Sequence, residues 1–189
     1  MNKETTLPFF TRSGSHKLTI NTITLGAFRK LPFVMKDDLS AAEQFKQFKA
    51  MILACTDLTP TEFEELSVPD FTQLHQDIRA FILTPSDEMN DHSLTGKDFE
   101  FDLAFPFTNE LEETISHIKF AVPKVKHSEA LADIDDHYDR EEFMFRVVCH
   151  LDKQDMDAMA LNDYLAIKPQ VGAFFQLAGD YFRPVTSKL

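Results

Sequence analysis

Three observations predict an α+β fold of two tandem repeats, each a β-hairpin followed by about three short helices, packed together with pseudo-symmetry. The first is internal similarity: residues 58–83 and 151–176 align without a gap at a fixed offset of 93 residues. Leu58, Asp70, Ala80 and Phe81 recur as Leu151, Asp163, Ala173 and Phe174. Phe63, Leu66, Val68, Phe71, Leu74, Ile78 and Ile82 fall on Met156, Met159, Leu161, Tyr164, Ile167, Val171 and Phe175. Few identities over matched apolar positions are what a diverged duplication leaves, because packing retains hydrophobic places longer than letters. The second is periodicity, since each half opens on alternating stretches and closes on apolar residues at helical spacing. The third is a stretch rich in Pro, Ser, Asp, Asn and Gly from Thr84 to Asp98, which reads as a linker between a first repeat, residues 1–90, and a second, 91–189.

The elements follow in order. Phe9-Phe10-Thr11, the turn cluster Ser13-Gly14-Ser15 and the alternating Leu18, Ile20 and Thr22 predict a first hairpin, with Ile23-Thr24-Leu25 beyond it. Ser40-Ala41-Ala42-Glu43 has the form of a capping box and opens a helix carrying Phe45, Phe48, Ile52 and Cys55. Thr59-Pro60-Thr61-Glu62 starts a short helix to Leu66, and Ser67-Val68-Pro69-Asp70 starts another with Phe71, Leu74, Ile78, Phe81 and Ile82 on one face. In the second half Phe99, Phe101, Leu103 and Phe105 alternate with polar or small residues, and a loop from Thr108 to Glu113 joins them to residues 115–122. Helices are expected near 139–150, 153–159 and 162–178, the last kinked or broken by Pro169 and Gly172. The Arg183-Pro184-Val185-Thr186 stretch reads as a frayed end.

Composition narrows the function. A chain of 189 residues with 43% hydrophobic content can bury a real core. Its 19 Phe, with 3 Tyr and no Trp, belong mostly to that core, and any surplus on the surface would be a binding patch. A net charge of −12 argues against nucleic-acid binding, which depends on Lys and Arg neutralising phosphates. Cys55 and Cys149 stand in apolar helical contexts as small hydrophobes, and with no secretory signal or long apolar run the expected location is the cytoplasm. The terminal Ser187-Lys188-Leu189 matches a peroxisomal address, which carries meaning only in a eukaryote.

Catalytic constellations are not found. The acidic run Asp133-Ile134-Asp135-Asp136-His137-Tyr138-Asp139 fails as a calcium loop, with Tyr138 where Gly is needed and Met144 where Glu is needed. It reads instead as a solvated helix start with acids at the positive end of the dipole. The seven His residues form no set, and Cys149 and His150, adjacent on a helix, point different ways. The expectation is a protein without enzymatic activity, metal or cofactor.

Leu58-Thr59-Pro60-Thr61-Glu62-Phe63-Glu64-Glu65-Leu66-Ser67-Val68-Pro69-Asp70-Phe71 resembles the characteristic stretch of the small tail assembly chaperones of contractile-tailed, Mu-like phages and prophages. In that family a β-hairpin runs into a Pro-containing segment, then helices, then a Leu-x-x-x-Asp-Tyr/Phe turn opening the last helix. The second half repeats the order through Ile118-Lys119-Phe120-Ala121-Val122-Pro123, Ser128-Glu129-Ala130-Leu131 and Met159-Ala160-Leu161-Asn162-Asp163-Tyr164. The resemblance implies a chaperone of the host cytoplasm that coats the long helical tape measure protein, recruits tail tube protein and is often also made in a longer, frameshifted form. Family members usually carry one unit and this chain carries two, which leaves open whether doubling replaces a homo-oligomer contact. Candidate partner-binding residues are Phe71, Phe81, Tyr164 and Phe174, with burial in a core as the preferred alternative for each. The competing class is an acidic inhibitor or DNA mimic of a host nuclease or regulator; against it, Lys46, Lys49, Arg79, Lys119, Lys124, Lys126 and Arg140 interrupt the acids.

Overall fold

The computed structural model describes residues 2–183. The terminal Ser187-Lys188-Leu189, and Pro184-Val185-Thr186 of the stretch read as frayed, lie outside the described residues. Among those described the chain is α+β, with nine helices and two antiparallel hairpins. It divides into two compact units, Met1–Thr84 with Ala160–Asn162, and Pro85–Met159 with Asp163–Leu189.

In the first unit β1 (Lys3–Thr6) pairs antiparallel with β2 (Lys17–Ile20), placing Lys3 opposite Ile20 and Thr6 opposite Lys17. The first strand therefore lies upstream of Phe9-Phe10-Thr11. Those residues leave the ladder because the Phe9 N–H donates to the Asp70 carboxylate at 3.1 Å and Arg12 pairs with Ser15 around Gly14, whose φ of +78° suits a residue without a Cβ. Arg12 then ties the turn to the next helices, donating to Glu62 at 2.7 and 2.8 Å and to Asp57 at 2.7 Å.

The helices begin where the capping chemistry places them. Thr24 caps α1 (Leu25–Arg29), Ser40 and Glu43 form a capping box for α2 (Ala41–Cys55), Thr59 and Glu62 form one for α3 (Pro60–Glu64), and Ser67 caps α4 (Val68–Ile82). Hydrogen bonds from Arg12, and then from Thr59, hold the Glu62 carboxyl down at about 2. Leu18 and Ile20 of β2 are buried in one core with Ile52, Cys55, Leu74, Ile78 and Ile82. Three residues, 160–162, complete this unit: Leu161 N–H donates to the Ile23 carbonyl at 2.8 Å, and the Asn162 amide donates to the carbonyls of Phe81 and Thr84, both at 2.8 Å.

The second unit opens on α5 (Ser86–Met89), inside the stretch read as a linker, followed by β3 (Glu100–Thr108) and β4 (Thr114–Lys119). Pairing runs from Glu100–Lys119 to Asp102–His117 and resumes at Phe107–Ile115, so β3 carries a bulge. The bulge explains why burial follows Phe101, Leu103 and Phe107 while Phe105 slips out of the expected alternation. Then come α6 (Val125–Ala132), α7 (His137–Cys149), α8 (Lys153–Ala158), α9 (Leu161–Gln176) and a 3-10 turn, Gly179–Phe182. Helices α1, α5 and α6, with five, four and eight residues, go beyond the three per half that periodicity predicts, because such short pieces display almost no period.

The last helix corrects a further expectation. α9 runs unbroken through Pro169 and Gly172. Proline removes one bond, to the carbonyl of Leu165, while Ile167 and Val171 are buried on either side of it. Gln170 adds two anchors, its amide donating to the carbonyls of Thr95 at 3.0 Å and Asp98 at 2.8 Å. At its start the fully buried Asp163 accepts from the N–H groups of Ala104 at 3.0 Å and Phe105 at 2.9 Å, the donors that the β3 bulge leaves outside the ladder.

Candidate binding groove

The four aromatic residues singled out from the sequence occupy different surroundings. Phe71 on α4 is half-buried, its ring centroid 5.6 Å from Phe45 and 5.9 Å from Phe63, and these three line a surface hollow with Leu66 and Val68. Phe81 on the same helix belongs to the core of the first unit. Phe174 on α9 stacks on Phe182 at 4.7 Å and lies 5.8 Å from Phe99 and 6.2 Å from Phe120. Tyr164 is buried, stacked on Phe145 at 5.7 Å.

Tyr164 leads to an open groove of the second unit. Its hydroxyl donates to Glu141 at 2.6 Å and accepts from Lys168 at 2.9 Å, while Lys168 pairs with Glu141 at 2.7 Å. Glu141 is only 8% exposed, so these bonds are what make its charge tolerable there. Burial, and then the bond to Glu141, push the Tyr164 hydroxyl above its ordinary value. Burial works against the Lys168 charge, but its bonds to Glu141 and Tyr164 outweigh that and raise it. Beside this triad, α7 and α9 border a groove of about 700 Å³. Met144, Phe145, Val171 and Phe175 supply its apolar lining, with Leu131 of α6 and Tyr181 of the 3-10 turn. Its charged lining is Arg140 and Lys168 against the single carboxylate of Glu141, with His137 and Gln176 as further polar residues. Arg140 donates to the carbonyls of Leu131 at 2.7 Å and Ile134 at 2.8 Å, which closes the C-terminal end of α6. The volume lies in the range of ligand sites, and the lining suits apolar side chains.

Comparison with family models, with curated proteins and with solved structures finds no match.

Asp136, within the acidic run, caps α7 by accepting from the N–H groups of Tyr138 and Asp139. No group of three or more His, Cys, Asp or Glu among the described residues is placed to hold a metal ion. Nor is any helix among them long and apolar enough to cross a membrane. Burial pushes the Cys55 thiol up to about 12 and the Cys149 thiol further still. Both cysteines should therefore stay unreactive toward a thiol reagent such as Ellman's in the native protein at pH 8, and both should react once it is unfolded in denaturant. Rapid native labelling of either would contradict this placement.

The groove residues Met144, Gly172 and Phe175 escaped selection from the sequence because an apolar helical period does not distinguish a covered face from an open one. One signal was present. Gly172 stands where the offset of 93 places Arg79 in the first half, a helix-interior glycine with nothing in the local sequence to require it.

Proposed function

We propose that this protein is a non-enzymatic tail assembly chaperone of a phage or prophage, built of two diverged copies of one unit, which binds the tape measure protein and tail tube protein in the bacterial cytoplasm. The observation that carries the binding-protein part is the open apolar groove beside the Tyr164–Glu141–Lys168 triad. Such a groove suits the apolar face of a helix, the form in which a long helical client presents its aggregation-prone surface.

Support for duplication goes beyond the aligned letters. Each unit orders a hairpin, a short helix, a long helix, a brief third and a long fourth. Asp70 and Asp163, 93 residues apart, both reach from the start of the fourth helix to backbone N–H groups of the hairpin, Phe9 in the first and Ala104 and Phe105 in the second. The Asn21 N–H donates to the Cys55 carbonyl at 2.8 Å, and the Ala121 N–H to the Val148 carbonyl at 2.7 Å, so the same exit from each hairpin meets the same turn of the second helix. Capping boxes at Thr59 and Asp152 again stand 93 residues apart.

The test is affinity purification of the tagged protein from induced native cells, followed by mass spectrometry. Recovery of a long helical tail protein or a tube subunit is the expected result. Recovery of a nuclease or DNA-binding protein with no tail component would overturn it and favour an acidic mimic, consistent with the −12 charge.

A further inference from the structure

The groove of the second unit has a counterpart that the first unit covers with its own chain. In the first unit α2 and α4 border a hollow lined by Met51, His75, Arg79 and Ile82. Ninety-three residues on stand Met144, Lys168, Gly172 and Phe175, all lining the groove between α7 and α9. The coverings differ. Phe28, Leu31 and Val34, three residues apart, come from the end of α1 and the turn beyond it and line the first hollow, which retains about 160 Å³. That segment is available because residues 30–40 separate α1 from α2, whereas only 133–136 separate α6 from α7. From the corresponding side the second unit supplies Leu131, and about 700 Å³ stays open. Gly172 widens it further, since a Cβ built there meets nothing within 4 Å.

We infer that the groove of the second unit binds, from a partner polypeptide, a short apolar segment with large side chains three residues apart and an acidic residue just beyond. This rests on the reading of the two units as copies, with the first displaying in cis what the second takes in trans. The acidic preference follows from charge. Arg140 is bonded to neutral carbonyls and Lys168 is matched by Glu141, so the groove is positive within a chain of net charge −12. The covering segment of the first unit shows the same order, Phe28, Leu31 and Val34 running on to Asp37 and Asp38, with Arg29, Lys30 and Lys36 interspersed.

A synthetic, fluorescently labelled peptide with the sequence of residues 26–39 is the probe, titrated with the full-length protein and followed by anisotropy. Saturable binding is expected, at least tenfold weaker to the Gly172→Leu variant, whose new side chain enters open space on a helix that leucine favours. A thermal melt at or above that of wild type shows that the variant is folded. Replacing both aspartates of the peptide by asparagine should weaken binding several-fold, and by more at low than at high salt. Absence of saturable binding, or equal affinity for wild type and Gly172→Leu, would overturn the inference. So would a wild-type oligomer that Gly172→Leu converts to monomer by light scattering, which would assign the groove to a second copy of the chain. The probe contains no tail protein, so the outcome is independent of what affinity purification recovers.

Discussion

The Asp163→Ala variant is expected to lose about 3 kcal/mol of stability in urea unfolding. The carboxylate satisfies two backbone donors, Ala104 and Phe105, at 3.0 and 2.9 Å. Neither can return to the ladder, because pairing is broken between Asp102 and Phe107. Truncation leaves both N–H groups without an acceptor, and each buried donor left so costs roughly 1–3 kcal/mol, partly offset by relief from burying a carboxylate. Asp70→Ala should cost about half as much, since Asp70 bonds a single backbone donor, Phe9, at 3.1 and 3.4 Å. The pH dependence provides an independent check. Burial raises the Asp163 pKa above its ordinary value despite the hydrogen bonds. A carboxyl raised on folding contributes stability that is fully present below its unfolded pKa and is lost as pH rises through the folded one. Wild type should therefore gain on the Asp163→Asn variant as pH is lowered toward 4. A gap that instead widens with rising pH would mean that the two N–H bonds outweigh burial.

Gly96→Ala is expected to cost about 2–3 kcal/mol, the upper part of the range for overpacking. A Cβ at Gly96 would lie 2.2 Å from the Tyr181 carbonyl oxygen and 2.6 Å from its ring. The ring could rotate away, but the carbonyl belongs to the 3-10 turn and moves only if that turn moves. Because Tyr181 also lines the groove, the same change should speed hydrogen exchange across Gly179–Phe182. Gly172→Ala is the contrasting case: the added methyl meets nothing, and replacing a helix-interior glycine should stabilise by about 0.5–1 kcal/mol. One substitution with opposite signs at two sites in the same unit separates close approach from helix propensity. Equal effects at the two glycines would show that the approach of Tyr181 to Gly96 is not what fixes that turn.

The helices that could be read in advance are those whose start is written locally. Ser40 with Glu43, Thr59 with Pro60 and Glu62, and Ser67 each satisfy donors within three residues of themselves, so a short window contains the whole interaction. The alternation around Phe101 likewise placed β3, because side-chain direction in a strand reverses at every residue. The first strand was misplaced at Phe9–Thr11 because its exclusion depends on Asp70, 61 positions away. Continuity of α9 through Pro169 was illegible for the same reason, since Gln170 is anchored to Thr95 and Asp98.

The four candidate aromatics illustrate the remaining gap. The period of α4 and α9 marks Phe71, Phe81, Tyr164 and Phe174 as inward-facing, but it does not say how completely each face is covered. Coverage depends on whether another segment is long enough to reach it, and in the first unit residues 30–40 are. By itself the sequence determined the starts of α2, α3 and α4, the second hairpin, the negative net charge and the matched apolar positions of the two halves, all set by interactions over a few residues or by composition. Only the tertiary structure decided the bulge that Asp163 satisfies, the course of α9 and the open groove beside Gly172, because each depends on groups far apart in the chain and near in space.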